Sequence, residues 1–215
     1  MCRTMSSPIP LTPQVLVMAY RQGVFPMARG RRGGIDWYSP DPRAILPFHP
    51  PEAFHVPHGL RRSLKKNPFT VTFDRAFARV IRGCAAPRAG PDSDTWISPK
   101  IVAVYTALHQ AGLAHSVEAW VPAPTAKDPE ALRLAGGLYG VALGGAFFGE
   151  SMFSRAPDAS KVCLVYLVEH LRARGYTLLD AQIINPHLRQ FGAIEIPRCE
   201  YLRRLEQALR QDVAW

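Results

Sequence analysis

Apolar residues recur at helical spacing over some stretches of the chain and alternate or run together over others, and the two patterns divide it into elements. Thr12-Pro13 joins an N-cap to a proline at the first helical position, ahead of Val15, Leu16, Met18 and Ala19, which predicts a helix from Thr12 to Arg21 that stops at Gly23. Helices are also predicted over His58 to Lys66, over Asp74 to Cys84 with Ala76, Phe77 and Val80 on one side, and from Ser98-Pro99 to Gly112. Strands are predicted at Phe69 to Phe73, His115 to Val121, Leu134 to Leu143 and Ala146 to Phe153, the last two turning at Gly144-Gly145. Leu164, Leu167, Val168 and Leu171 mark a helix of about four turns from Ser160 to Arg174, closed by Gly175, and a strand from Tyr176 to Ile184 follows it. Strand, helix and strand in that order form a βαβ crossover behind a hairpin, which resembles the second half of an acetyltransferase-like mixed sheet.

Between Val24 and Pro51 the chain is rich in proline, glycine and aromatics, which reads as an irregular small domain or a lid, and Val121 to Arg133 reads as an extended hairpin loop. The expected fold is therefore α+β: a small irregular N-terminal domain over residues 1–52 and an acetyltransferase-like mixed-sheet domain over residues 53–215. A hydrophobic content of 47% with 20% charged residues supports a sizeable core. The formal charge of +9 suits a polyanionic partner, most simply nucleic acid. Cys2, Cys84, Cys163 and Cys199 lie far apart without metal-ligand spacing, so no metal site or disulfide framework is expected and reduced thiols fit the cytosol. No run approaches the roughly 18 apolar residues of a membrane helix.

Two apolar segments carry polar residues that need a partner or a purpose: Glu150, Ser151 and Ser154 in the first, Asp180 and Gln182 in the second. Residues two apart share a strand face, so Asp180 and Gln182 form a polar pair, in which the amide could hold the carboxylate while the carboxylate handles a proton. A structural aspartate capping a loop is the alternative. For Glu150 the alternative is an internal salt bridge with Arg155 or Lys161. Ser151 and Ser154 sit in no nucleophile elbow, and neither His170 nor His187 follows a GxSxG turn, which argues against a serine hydrolase. His115, at the head of its strand, reads as a structural histidine. Arg61, Arg62, Lys65 and Lys66 make a basic helix face suited to backbone phosphates or simply to water. Trp37, Tyr38 and Trp96 fall in loops, where large aromatics stack on ligands or close pockets.

The segments YRQGVFPMA, WYSPDPRAILP, DTWISPK, AHSVEAW, GGLYGVALGGAFFGESMFSR, LLDAQIINPHL and FGAIEIPR, in this order, closely resemble the leucyl/phenylalanyl-tRNA–protein transferases, from about Leu11 to Leu205. The resemblance implies transfer of Leu, Phe or, less efficiently, Met from aminoacyl-tRNA to an N-terminal Arg or Lys of a protein, which marks that protein for degradation by the bacterial N-end rule. It implies no metal or dissociable cofactor, and a monomer in the cytoplasm is expected. It assigns catalysis to Asp180, Gln182 and Glu150, the pocket for the transferred side chain to Leu138, Met152, Leu164, Leu167 and Leu171, the contact with the terminal adenosine to Tyr38 and Trp96, and tRNA contacts to Arg61, Arg62, Lys65 and Lys66.

Three departures from the family pattern bear on these assignments. The longer leader is missing before Leu11, which would trim the N-terminal domain; Tyr38 stands where tryptophan is often found; and Leu167 and Leu171 replace phenylalanines of some relatives. An acyl-CoA-dependent N-acetyltransferase is a rival reading, weakened by the lack of a (Q/R)xxGx(G/A) loop before Ser160. A non-catalytic RNA-binding module would explain the charge and leave the polar trio without a role.

Overall fold

The structure is a computed structural model that describes residues 10–31, 33–66, 68–87, 95–124, 128 and 130–215. The first helix, α1 (Pro13–Arg21), is capped by the Thr12 hydroxyl, which accepts from the Val15 amide. Two short strands, β1 (Phe25–Ala28) and β2 (Ile35–Tyr38), pair with each other as a separate ribbon. They are followed by β3 (Arg43–Ile45), α2 (His58–Lys66), β4 (Thr70–Phe73), α3 (Phe77–Cys84), α4 (Pro99–Gln110) and β5 (Ala114–Pro122). The chain continues through β6 (Leu132–Leu143), β7 (Ala146–Ser154), α5 (Ala159–Arg174), β8 (Leu178–Gln182), α6 (Pro186–Arg189), β9 (Ile194–Ile196) and α7 (Arg198–Leu209).

Seven strands form one mixed sheet in the order β4-β5-β6-β7-β8-β3-β9. Every neighbouring pair is antiparallel except β7 and β8, which run parallel because α5 carries the chain from one to the other. Both faces are covered. On one, Leu16, Tyr20, Val80, Tyr105 and Leu205 of α1, α3, α4 and α7 build a core; on the other, Leu60 of α2 and Val162, Leu164, Leu167 and Leu171 of α5 pack with Leu46, Phe48 and Phe191. Helix α5 buries residues on most sides along its first half, where it packs against β5, β6, β7 and α2.

The patterned segments form the elements expected of them, with ends shifted by a few residues. The hairpin loop is shorter than the sequence suggested, since the β5–β6 ladder runs on to Pro122 opposite Leu132; residues 125–127 and 129 of that loop, and residues 1–9 with Cys2, lie outside the described residues. Strand β3 comes from the segment before residue 53, yet it is wedged between β8 and β9 in the main sheet. Among the described residues no helix is long and apolar enough to cross a membrane.

Candidate active site

Strands β7 and β8 stay paired only from Ala146–Leu178 to Phe148–Asp180, although β7 continues to Ser154 and β8 to Gln182. Beyond Phe148 they part, and a cavity of about 280 Å³ opens in the gap. Its apolar wall comes from Leu138, Met152, Leu164, Leu167, Leu46 and Leu179, and its polar floor from Glu150, Asp180 and Gln182.

Backbone irregularities aim the polar side chains. Between β6 and β7 the register steps from Tyr139–Ser151 to Gly140–Gly149, so Glu150 is the extra residue of a β-bulge and faces no partner on β6. Gly140 is required there, since a Cβ would overlap the Phe148 carbonyl oxygen. At the end of β8, Gln182 adopts φ 62, a left-handed conformation uncommon for a side-chain-bearing residue, and turns its amide toward β7. Gln182 Nε2 then donates to Glu150 Oε1 at 2.7 Å and bridges the gap.

The two carboxylates lie in different electrostatic settings. Asp180 is fully buried and paired with the equally buried Arg43: Nε donates to Oδ1 at 2.9 Å and an Nη donates to Oδ2 at 2.6 Å. Tyr201 Oη also donates to Oδ2 at 2.8 Å, and the Gln182 amide N–H to Oδ1 at 2.8 Å. Four donors therefore pin this carboxylate in place. Arg43 is further set by the Gly23 carbonyl, which accepts at 2.9 Å, and by the Phe25 and Tyr201 rings that flank its guanidinium. Glu150 has no cationic partner among the described residues. It accepts from Tyr20 Oη at 2.5 Å, Tyr105 Oη at 2.8 Å and Gln182, and burial, reinforced by the nearby Asp180 charge, overrides these bonds and raises its pKa to about 7. Tyr20 and Tyr105 also touch each other through their hydroxyls. Burial first and the Glu150 charge second push both phenols well above their usual range, so they stay protonated as donors.

The family described as "Leucyl/phenylalanyl-tRNA protein transferase" matches residues 48–206, and the one described as "Leucyl/phenylalanyl-tRNA protein transferase N-terminal domain" matches residues 10–41. The chain belongs to the leucyl/phenylalanyl-tRNA–protein transferase family. It is 55% identical to the leucyl/phenylalanyl-tRNA–protein transferase of Rubrobacter xylanophilus over 95% of this chain and 98% of that protein. With the protein of the same name from Salinibacter ruber it shares 50% identity over 97% of this chain and 84% of the relative. Among solved structures, that of L-PGS from Bacillus licheniformis superimposes with a TM-score of 0.39 at 11% identity, covering 80% of this chain and about half (51%) of that one.

The residues that the family resemblance singles out divide into those the fold brings together and those it does not. Leu138, Met152, Leu164, Leu167, Trp96, Glu150, Asp180 and Gln182 all line the cavity. Leu171 is fully buried in the core instead and does not line it. Tyr38 does not line it either; its ring stacks on Phe25, 6.0 Å away, and Phe25 is the ring that meets the cavity. Arg61, Arg62, Lys65 and Lys66 are exposed on α2. The side-chain amide of Gln182 grips Glu150, while only its backbone N–H reaches Asp180, so the pairing inferred from strand parity is replaced by one across the gap. The salt bridge considered for Glu150 is absent: Lys161 pairs with Asp158 at 2.9 Å, and Arg155 lies over the Phe153 ring. His115 is structural, bonded to Asp74 at 2.8 Å. Sequence reasoning passed over Arg43, Tyr20, Tyr105 and Tyr201. The signals available were an arginine inside the apolar run RAIL and tyrosines on the buried stripes of three helices.

Proposed function

We propose that the protein takes Leu, Phe or, less efficiently, Met from aminoacyl-tRNA and joins it to the N-terminal Arg or Lys of an acceptor protein, the modification that marks such proteins under the bacterial N-end rule. Family membership supports the reaction class. The observation that carries the site assignment is that, of the two carboxyl groups at the floor of an apolar cavity, Asp180 is paired with Arg43 while Glu150 is held by hydroxyls and an amide and its pKa is raised to about 7. A hairpin followed by a parallel βαβ crossover supports an acetyltransferase-like origin for the sheet.

In this reading Leu138, Met152, Leu164 and Leu167 receive the aminoacyl side chain and Trp96 faces the adenosine. The donor ester is already activated, so the enzyme must align it with the acceptor and manage one proton. The acceptor amine attacks the carbonyl carbon; the new C–N bond forms, the ester C–O bond breaks, and the ribose oxygen leaves as a hydroxyl. Glu150, not Asp180, accepts the proton that nitrogen loses and returns it to the leaving oxygen or to water. Asp180 has its oxygens occupied by Arg43, Tyr201 and the Gln182 amide, and serves to shape the floor. Around Glu150, Tyr20 and Tyr105 each direct a hydroxyl at the carboxylate and touch each other, and either hydroxyl can turn to accept when the carboxyl is protonated. Such a group gains and loses a proton with little rearrangement.

The test mixes purified protein with labelled Leu-tRNA, Phe-tRNA or Arg-tRNA and a peptide beginning with Arg. Label should enter the peptide from the first two donors and not the third; transfer from none of them would overturn the reading.

A further inference from the structure

A second cavity, of about 490 Å³, opens at the start of α5, and His187 lines both it and the substrate cavity. Its charged lining comprises Arg155, Lys161 and Asp158. Arg155 is exposed, its guanidinium laid over the Phe153 ring at 5.2 Å, and it has no acidic partner among the described residues. Lys161 Nζ gives one of its three protons to Asp158 Oδ1 at 2.9 Å, and Asp158 Oδ2 accepts from Ser63 of α2 at 2.8 Å. Two cations thus face one carboxylate that is already shared between two donors.

A hydroxyl and an imidazole lie beside them. Ser160 Oγ accepts from Ser154 Oγ at 2.9 Å, which leaves its own hydrogen for another acceptor. The Gln190 amide nitrogen lies 3.4 Å from His187 Nδ1 while donating to the His187 carbonyl at 2.9 Å, and His187 Nε2 is buried with no partner among the described residues. Burial, with the Lys161 charge behind it, lowers the His187 pKa and keeps the ring neutral near pH 7.

We propose that this cavity binds a phosphodiester of the donor's single-stranded 3′ end, with Arg155 and Lys161 supplying charge and Ser160 supplying a neutral donor. The inference rests on the aminoacyl-tRNA reading above. Charge selects the occupant: the acceptor terminus brings an ammonium and an Arg or Lys side chain, which this lining repels, whereas the donor brings phosphates. Continuity selects the same partner. The Ser63–Asp158–Lys161 chain joins the cavity to α2 beside its exposed Arg62, and His187 joins it to the aminoacyl cavity, so a strand bound along α2 would pass through it to deliver its terminal adenosine.

The test compares three donors in transfer to an Arg-peptide: phenylalanine esterified to adenosine, phenylalanine esterified to cytidylyl-adenosine with its one phosphodiester, and full-length Phe-tRNA. Exposed Arg155 is changed in Arg155→Met, with Arg155→Lys as the variant that keeps the charge. Arg155→Met should lower kcat/KM about 10-fold or more further for the dinucleotide donor than for the nucleoside donor, and Arg155→Lys should restore most of the difference. Equal losses with both donors, or a change that follows the acceptor's KM instead, would overturn the subsite while leaving the transferase reading in place. No transfer by the unmodified protein from any of the three donors would overturn both.

Discussion

At the scale of single residues, Glu150 and Asp180 meet at one cavity floor and differ in what surrounds them. Asp180 is paired with a buried arginine; Glu150 is surrounded by hydroxyls and an amide and stays ionisable near neutrality. Because its carboxyl holds a proton more tightly in the folded state than the ordinary value near 4.5, its contribution to stability is complete below about pH 4.5 and is lost as pH rises through about 7. The loss is on the order of 3 kcal/mol, so wild-type stability from denaturant titrations should fall over this window relative to Glu150→Gln, which has no such proton to lose. Asp180→Asn acts differently, since it strands the Arg43 charge in the interior. A cost of about 3–5 kcal/mol is expected, read as a drop in Tm on the order of 10 °C. An Asp180→Asn protein with wild-type Tm would show that the pair contributes little to the fold.

At the scale of elements, the proposed reading divides the substrate between α5 and α2. Leu164 and Leu167 of α5 face the cavity, so Leu167→Phe should fill part of it and shift a Leu-tRNA against Phe-tRNA competition toward Leu by about 10-fold, the order expected for overpacking a closed apolar site. On α2, Arg62→Ala with Lys66→Ala should reduce the slope of log affinity against log salt by roughly 0.7–0.9 for each phosphate that the variant no longer neutralises, measured by tRNA binding at several salt concentrations. The boundaries of both helices were legible in the sequence, because periodicity and local signals such as the closing Gly175 are written locally. Strands β3 and β9 were not: each has three residues, too few to show an alternation, and each is held by partners distant in the chain. The polar trio was legible as residue types out of place in apolar strands. Its geometry was not, because the bulge at Glu150 and the left-handed Gln182 depart from the strict two-residue period on which strand parity depends.

At the scale of the molecule, Arg43 ties three distant parts of the chain into one site. It enters on β3, pairs with Asp180 on β8, reaches Tyr201 on α7 and donates to the Gly23 carbonyl just after α1. The residues before 53 therefore complete the sheet and the cavity wall rather than only flanking them. In a double-mutant cycle, Arg43→Met and Asp180→Asn should each be strongly destabilising alone, and together cost less than their sum by about 2–3 kcal/mol, since the double variant buries no unpaired charge. Additive costs would mean the two side chains do not depend on each other.

The most direct test of the whole account is single-turnover transfer from Phe-tRNA to an Arg-peptide, followed against pH in wild type and in Glu150→Gln. The wild-type rate should rise through about pH 7 as Glu150 ionises, and the variant should lack that limb and run roughly 100-fold slower on the plateau. A Glu150→Gln enzyme with the wild-type rate and the wild-type pH profile would contradict the assignment of proton transfer to this carboxyl.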